Sequence, residues 1–115
     1  MTLKIYHNAR CRKSRAGLKY LQERTDDYEI IEYLKSGISP DEIREMLLKL
    51  NISASKLVRT QEDLYKKELK GKQFTNDEWI IILTENPKLI RRPVVIGKDK
   101  AVIGDPPEEL GKMLN

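Results

Sequence analysis

The sequence predicts an α/β protein in which a helical segment lies between a βαβ unit and a ββα unit. Two short runs rich in β-branched and aromatic residues, at 2–6 and 28–34, flank a segment with helical spacing at 11–24. A strand, a helix and a strand within about thirty residues predict two parallel strands joined by a right-handed crossover. Two further apolar runs, at 93–96 and 100–103, are separated by a short turn, which predicts an antiparallel hairpin.

The helices are predicted from their starting signals and their apolar spacing. Ser39 is a predicted N-cap, with Pro40 at the first helical position and Glu42 three residues after the cap, and Asn51 is expected to end this helix. In the first helix, we expect the buried face to consist of Ala16, Leu18, Tyr20 and Leu21. The remaining predicted helices are one or two short ones within 53–70, one that starts at 75 and stops at 86–87, and a terminal one after 106.

Length and composition favour one soluble domain over residues 1–115, with the helical insertion at about 38–86. The chain is 35% charged, and no apolar run approaches the ~20 residues needed to span a bilayer. The N-terminus lacks the apolar centre of a signal peptide. One cysteine cannot form an internal disulfide, which suits a reducing compartment. We therefore expect a cytoplasmic protein without membrane attachment.

The turn between the first strand and the first helix holds the only histidine, His7, and the only cysteine, Cys11. A cysteine at this position lies beside the free N–H groups and the positive end of the helix dipole, which favour the thiolate. The alternative is a buried structural cysteine, but the polar, basic loop argues against burial. With no second histidine or cysteine, the sequence predicts no metal site.

Positive charge is concentrated around this turn. Residues 1–24 carry seven Lys/Arg and one acid, which is consistent either with a solvated basic helix or with an anion-attracting mouth. Nucleic acid is the weakest interpretation, because the segment lacks interleaved aromatic residues and any standard nucleic-acid motif.

The residues of the turn also resemble a known motif. The pattern formed by His7, Asn8, Cys11, Ser14 and Arg15 resembles the active-site loop of the glutaredoxin-dependent arsenate reductases, in the arsenate reductase/Spx-like superfamily. Three later segments resemble further motifs of that family, in the same order, at 57–60, 86–95 and 104–108. The resemblance implies a thioredoxin-like fold with a helical insertion, and a cis proline at Pro93.

The resemblance also implies a reaction and its residues. Cys11 is the nucleophile that attacks arsenate or a similar oxyanion, glutathione is the co-substrate, and glutaredoxin is the partner that resolves the mixed disulfide. No bound cofactor is implied. His7 and Ser14 are expected to lower the pKa of the thiol, and we favour a contact between the Ser14 hydroxyl and the sulfur. The expected oxyanion ligands are Arg59, Arg92, Asn8 and Arg15.

The chain departs from this family's pattern at two places. Arg12 and Lys13 replace small residues of the loop, and Asp105 stands where the family commonly has an arginine. Two alternatives therefore stay open: an Spx-like regulator that binds RNA polymerase, and a thiol-exchange or anion-binding relative without arsenate activity.

Overall fold

A computed structural model describes residues 2–114 of the chain and contains a mixed sheet in the order β2-β1-β3-β4. The strands are β1 (Leu3–Tyr6), β2 (Tyr28–Ile31), β3 (Val94–Ile96) and β4 (Ala101–Ile103). Strand β1 pairs in parallel with β2 and antiparallel with β3, which in turn pairs antiparallel with β4. The predicted α/β class, the parallel pair and the hairpin are confirmed.

The helical elements differ in length and type. The α-helices are α1 (Arg12–Gln22), α2 (Tyr33–Ser36), α3 (Pro40–Leu50) and α4 (Asn76–Glu85). Segments of 3₁₀ helix cover Ala54–Leu57, Pro87–Leu89 and Pro107–Met113, and a π-helical turn covers Tyr65–Leu69. Within residues 2–114, no helix has the length and apolar character needed to cross a membrane.

The chain divides into two compact units. The first unit contains the residues up to Ser36 and those from Arg92 onward, and it carries the sheet, α1 and the terminal 3₁₀ helix. One cluster of its core is fully buried and consists of Ile5, Leu21, Val95 and Leu110. These side chains come from β1, α1, β3 and the terminal helix, so they join the predicted βαβ and ββα units around one core.

Helix α1 approaches Pro93 closely at Gly17. A Cβ atom at Gly17 would lie 2.5 Å from Pro93 Cγ, a distance at which the helix or the proline would have to move. Ser14, Gly17 and Leu21 form the buried face of α1, whereas Ala16 is exposed and Leu18 and Tyr20 are partly buried. The predicted buried face is confirmed at Leu21, and Leu18 and Tyr20 pack, partly buried, against the core. It is wrong at Ala16, which is exposed, and it omits Gly17, where the close approach to Pro93 leaves no room for a side chain.

The second unit, Gly37–Arg91, contains α3 and α4. Both helices begin with a capping box, formed by Ser39 with Glu42 and by Thr75 with Glu78. Helix α3 ends at Asn51, which adopts the left-handed conformation with φ 58°, a conformation that asparagine tolerates. These predicted boundaries are confirmed.

Two predicted elements need correction. The second strand ends at Ile31 rather than at residue 34, and Tyr33 begins the short helix α2, where it is fully buried. The terminal helix is 3₁₀. A buried aromatic residue fits a strand and a short helix equally well, so composition alone did not separate the two.

Candidate active site

The loop between β1 and α1 holds Cys11 at the N-cap position of α1, in an extended conformation. Its N–H donates to the carbonyl of Asn8 at 3.0 Å, and its own carbonyl accepts from the N–H of Arg15 at 2.9 Å. The first bond closes a tight turn over residues 8–11, and the second is the first hydrogen bond of the helix. Local backbone bonds therefore place the thiol against the N–H groups of the first helical turn.

The Cys11 sulfur is held in a cradle of donors. Burial raises the pKa of the thiol, but a hydrogen bond from the Arg92 guanidinium, the backbone N–H of Ser14, the Arg92 charge and the backbone N–H of Lys13 together bring the pKa below its usual value. Cys11 is 8% exposed, so the expectation that the polar loop would keep it from burial is wrong. The polar groups of the loop and of Arg92 face the sulfur, which makes burial compatible with a thiolate.

Arg92 belongs to the same unit and is itself 8% exposed. It precedes Pro93, and the peptide bond between them is cis, as the resemblance implied. The carbonyl of Pro93 accepts from the N–H of Gly104 at 2.8 Å, which ties this segment to the end of β4. The structure therefore brings a buried guanidinium, a group suited to tetrahedral oxyanions, directly to the sulfur.

His7 and Ser14 form a second pair inside the loop. His7 Nδ1 lies 2.7 Å from Ser14 Oγ, and the N–H of Asn8 donates to the same oxygen at 2.9 Å. Ser14 is fully buried and His7 is 5% exposed. The expected contact between the Ser14 hydroxyl and the Cys11 sulfur is therefore corrected. The hydroxyl oxygen hydrogen-bonds His7 and Asn8, whereas the backbone N–H of Ser14 donates to the sulfur.

The charge state of His7 follows from its surroundings. Burial lowers its pKa most strongly, Glu32 and a hydrogen bond with the Ser14 backbone raise it, and Arg15 lowers it further, with a net lowering. The lowered pKa favours the neutral form of His7, so burial opposes its use as a positive charge beside the thiolate. Its contact with Ser14 instead connects β1 to the first turn of α1, which orients the N–H groups around the sulfur.

Two other loop residues, Asn8 and Arg15, were expected to bind the oxyanion, and both stabilise the loop through hydrogen bonds. The Asn8 side-chain oxygen accepts from the N–H of Arg10 at 3.0 Å. The Arg15 guanidinium donates to the carbonyl of Ala9 at 3.0 Å. Arg15 keeps further N–H groups for a ligand because that bond uses only one of its five donors.

Arg59 lies in the second unit, where a carboxylate positions it. Its guanidinium donates to Glu62 at 2.6 Å, both side chains are about one-fifth exposed, and its backbone N–H donates to the carbonyl of Leu89. Glu62 was not predicted from the sequence, because the two residues pair across a turn, in which the Glu62 N–H donates to the carbonyl of Arg59, and not along a helix face.

Within residues 2–114, no group of three His, Cys, Asp or Glu side chains is arranged to hold a metal ion. The chemistry that this loop can perform with its own groups is that of a thiolate. A buried cation and two backbone N–H groups would stabilise charge that develops on a ligand bound to the sulfur.

Comparisons of the sequence with known proteins identify a family and similar chains. The ArsC family model matches residues 6–113. The chain is 40% identical to a protein of Escherichia coli K12 named "Uncharacterized protein YfgD", over 94% of this chain and 92% of that protein. It is 34% identical to a protein named "Arsenate reductase" of Neisseria meningitidis serogroup A, over 97% of each chain.

Solved structures give the same result for the fold. A structure described as an arsenate reductase from Vibrio cholerae superposes with a TM-score of 0.91 at 34% identity, over 99% of this chain and 98% of that one. This similarity confirms the thioredoxin-like architecture that the motifs implied.

Proposed function

The chain belongs to the ArsC family, and on that premise we propose that it reduces arsenate to arsenite with Cys11 as the nucleophile and glutathione and glutaredoxin as the source of electrons. The observation that carries the proposal is the cradle around the sulfur, in which Arg92 and the N–H groups of Lys13 and Ser14 favour the thiolate. The relatives named arsenate reductase support the substrate.

In the first step, the Cys11 thiolate attacks the arsenic(V) atom. A sulfur–arsenic bond forms, an arsenic–oxygen bond breaks, and the departing oxygen takes up protons and leaves as water. Arg92 hydrogen-bonds the Cys11 sulfur, and its guanidinium carries donors of the kind that bind tetrahedral oxyanions, so it is proposed to hold the remaining arsenate oxygens. Arg59, held by Glu62, is proposed as a second ligand of the oxyanion.

In the second step, the thiolate of glutathione attacks the sulfur of Cys11. The sulfur–arsenic bond breaks with its electron pair on arsenic, which becomes arsenic(III) and leaves as arsenite, and a mixed disulfide with Cys11 remains. A glutaredoxin thiolate then removes the glutathione and restores the Cys11 thiolate. External thiols supply both electrons, so one cysteine in the chain is sufficient, and the reducing cytoplasm is the compartment that suits this chemistry.

The test is arsenate-dependent oxidation of NADPH, coupled through glutathione reductase, glutathione and glutaredoxin. We expect turnover in the native chain and none in Cys11→Ser, which removes the nucleophile and changes little in volume. Omission of glutaredoxin should lower the rate. A folded protein with a reactive Cys11 and no arsenate-dependent oxidation would overturn the proposal.

A further inference from the structure

A cavity of about 300 Å³ lies on the side of the active-site loop formed by residues 7–10. Its lining comes entirely from the first unit and consists of His7, Asn8, Ala9, Arg10, Glu32, Leu34 and Lys35. The volume is at the lower end of the range of small-ligand sites. The proposed reduction of arsenate assigns no ligand to this cavity.

The charges of the lining define a ligand class. Arg10 and Lys35 present cations suited to carboxylates, and Glu32 presents an anion suited to an ammonium group. Glu32 and Lys35 are 3.4 Å apart and both are substantially exposed, so their mutual ion pair is weak and a ligand can replace it at small cost. A zwitterion with more than one carboxylate matches two cations and one anion.

The cavity also touches the catalytic loop. Arg10 directly precedes Cys11, so their Cα atoms are about 3.8 Å apart, and Asn8 forms the turn with Cys11. His7 lines the cavity while its Nδ1 atom bonds Ser14. A ligand in the cavity therefore lies against the same loop that carries the nucleophile.

We propose that this cavity binds the charged end of the reducing thiol, a small peptide thiol with carboxylate and ammonium groups, while the sulfur of that ligand reacts at Cys11. This inference rests on the proposed function for its biological role, but the binding site can be tested without arsenate. Glutathione is the probe of this chemical class.

The experiment measures formation of a mixed disulfide at Cys11 from the reduced protein. The Cys11 thiolate attacks glutathione disulfide, one sulfur–sulfur bond forms as another breaks, and one glutathione thiolate leaves. The same rate is measured with bis(2-hydroxyethyl) disulfide, which has no charged groups. The ratio of the two rate constants reports recognition of the charged ligand and cancels changes in the intrinsic reactivity of Cys11.

We expect Arg10→Ala and Lys35→Ala each to lower this ratio by about fivefold to tenfold, because each removes a charge-assisted hydrogen bond. Lys19→Ala, which removes an exposed cation of α1 outside the cavity, is the matched control and should leave the ratio unchanged. Glu32→Gln distinguishes a specific binding site from a general electrostatic attraction of the anionic ligand. If the attraction is general, removing a negative charge from the protein raises the ratio. If Glu32 binds the ammonium group of the ligand, the same substitution lowers the ratio.

Three results would overturn the proposal: a ratio that is insensitive to the three cavity substitutions, a ratio that rises in Glu32→Gln, or a Cys11 that reacts with neither disulfide. Arsenate is absent from this assay, so the two proposals can fail separately. If the chain shows the expected ratios but does not reduce arsenate, the proposed function is refuted and the binding site is supported. If the chain reduces arsenate but does not show the expected ratios, only the binding site is refuted.

Discussion

The ammonium group of Lys13 lies 2.9 Å from a carboxylate oxygen of Asp105. These two residues are departures from the family pattern, and the structure pairs them. Their side chains are 47% and 33% exposed, so the pair contributes at most about 1 kcal/mol to folding. The consequence of the pair is electrostatic. Asp105 partly neutralises the charge of Lys13, and the backbone N–H of Lys13 donates to the Cys11 sulfur.

Asp105→Asn should therefore improve binding of the oxyanion. We expect the KM for arsenate to fall by about threefold at low ionic strength, since the Lys13 cation is no longer offset, and this gain should shrink as salt is added. Asp41→Asn removes the carboxylate of another exposed ion pair, with Arg44, and should leave KM unchanged. An equal or higher KM in Asp105→Asn would show that the carboxylate does not weaken the site.

The thiolate of Cys11 should depend on Arg92. The rate of alkylation by iodoacetamide, measured against pH, should have a midpoint below about 8.5, the usual pKa of a free cysteine. Arg92→Met removes the hydrogen bond and the charge, so it should move the midpoint upward. Arg12→Met, which removes an exposed cation next to Cys11, should move it much less. Equal shifts in the two variants would mean that the overall field, rather than the contact, sets the pKa.

His7 should make folding stability dependent on pH. Its folded pKa is lowered, mainly by burial, with Glu32 opposing and Arg15 reinforcing the shift. The unfolded chain therefore binds the proton first as the pH falls through about 6.5, and stability is lost below that pH. Urea unfolding at pH 7.5 and pH 5.0 should show a smaller loss for His7→Asn than for the native chain. Equal losses would show that the charge of His7 is not linked to folding.

Gly17 should be intolerant of a side chain. Replacing an exposed glycine in a helix by alanine normally stabilises by about 1 kcal/mol. Here the new Cβ would meet Pro93 Cγ at 2.5 Å, so we expect Gly17→Ala to lower the free energy of unfolding by about 1–3 kcal/mol and to change the alkylation rate of Cys11. Ala16→Gly, at an exposed neighbour, should cost about 1 kcal/mol without that change in rate. A stabilised Gly17→Ala would contradict the close approach.

The elements that the sequence predicted correctly are those with local causes. The capping boxes at Ser39 and Thr75 and the stop at Asn51 involve residues within a few positions of one another, so their spacing is visible in the chain. Tyr33 was assigned to a strand because its burial, rather than any local bond, decides its conformation. The burial of Gly17 in α1 was missed for the same reason: it depends on Pro93, which lies far away in the sequence.

The sequence by itself determined the position of Cys11 at a strand-to-helix turn, the surrounding cations and the expectation of a thiolate, since a cap and the first helical turn are local features. Only the tertiary structure decided which groups meet the sulfur. The order of the strands brings Arg92 to Cys11 and places Asp105 against Lys13. The packing of the β1–α1 loop directs the Ser14 hydroxyl to His7. Periodicity and spacing carry no information on such contacts, because they depend on how distant segments pack.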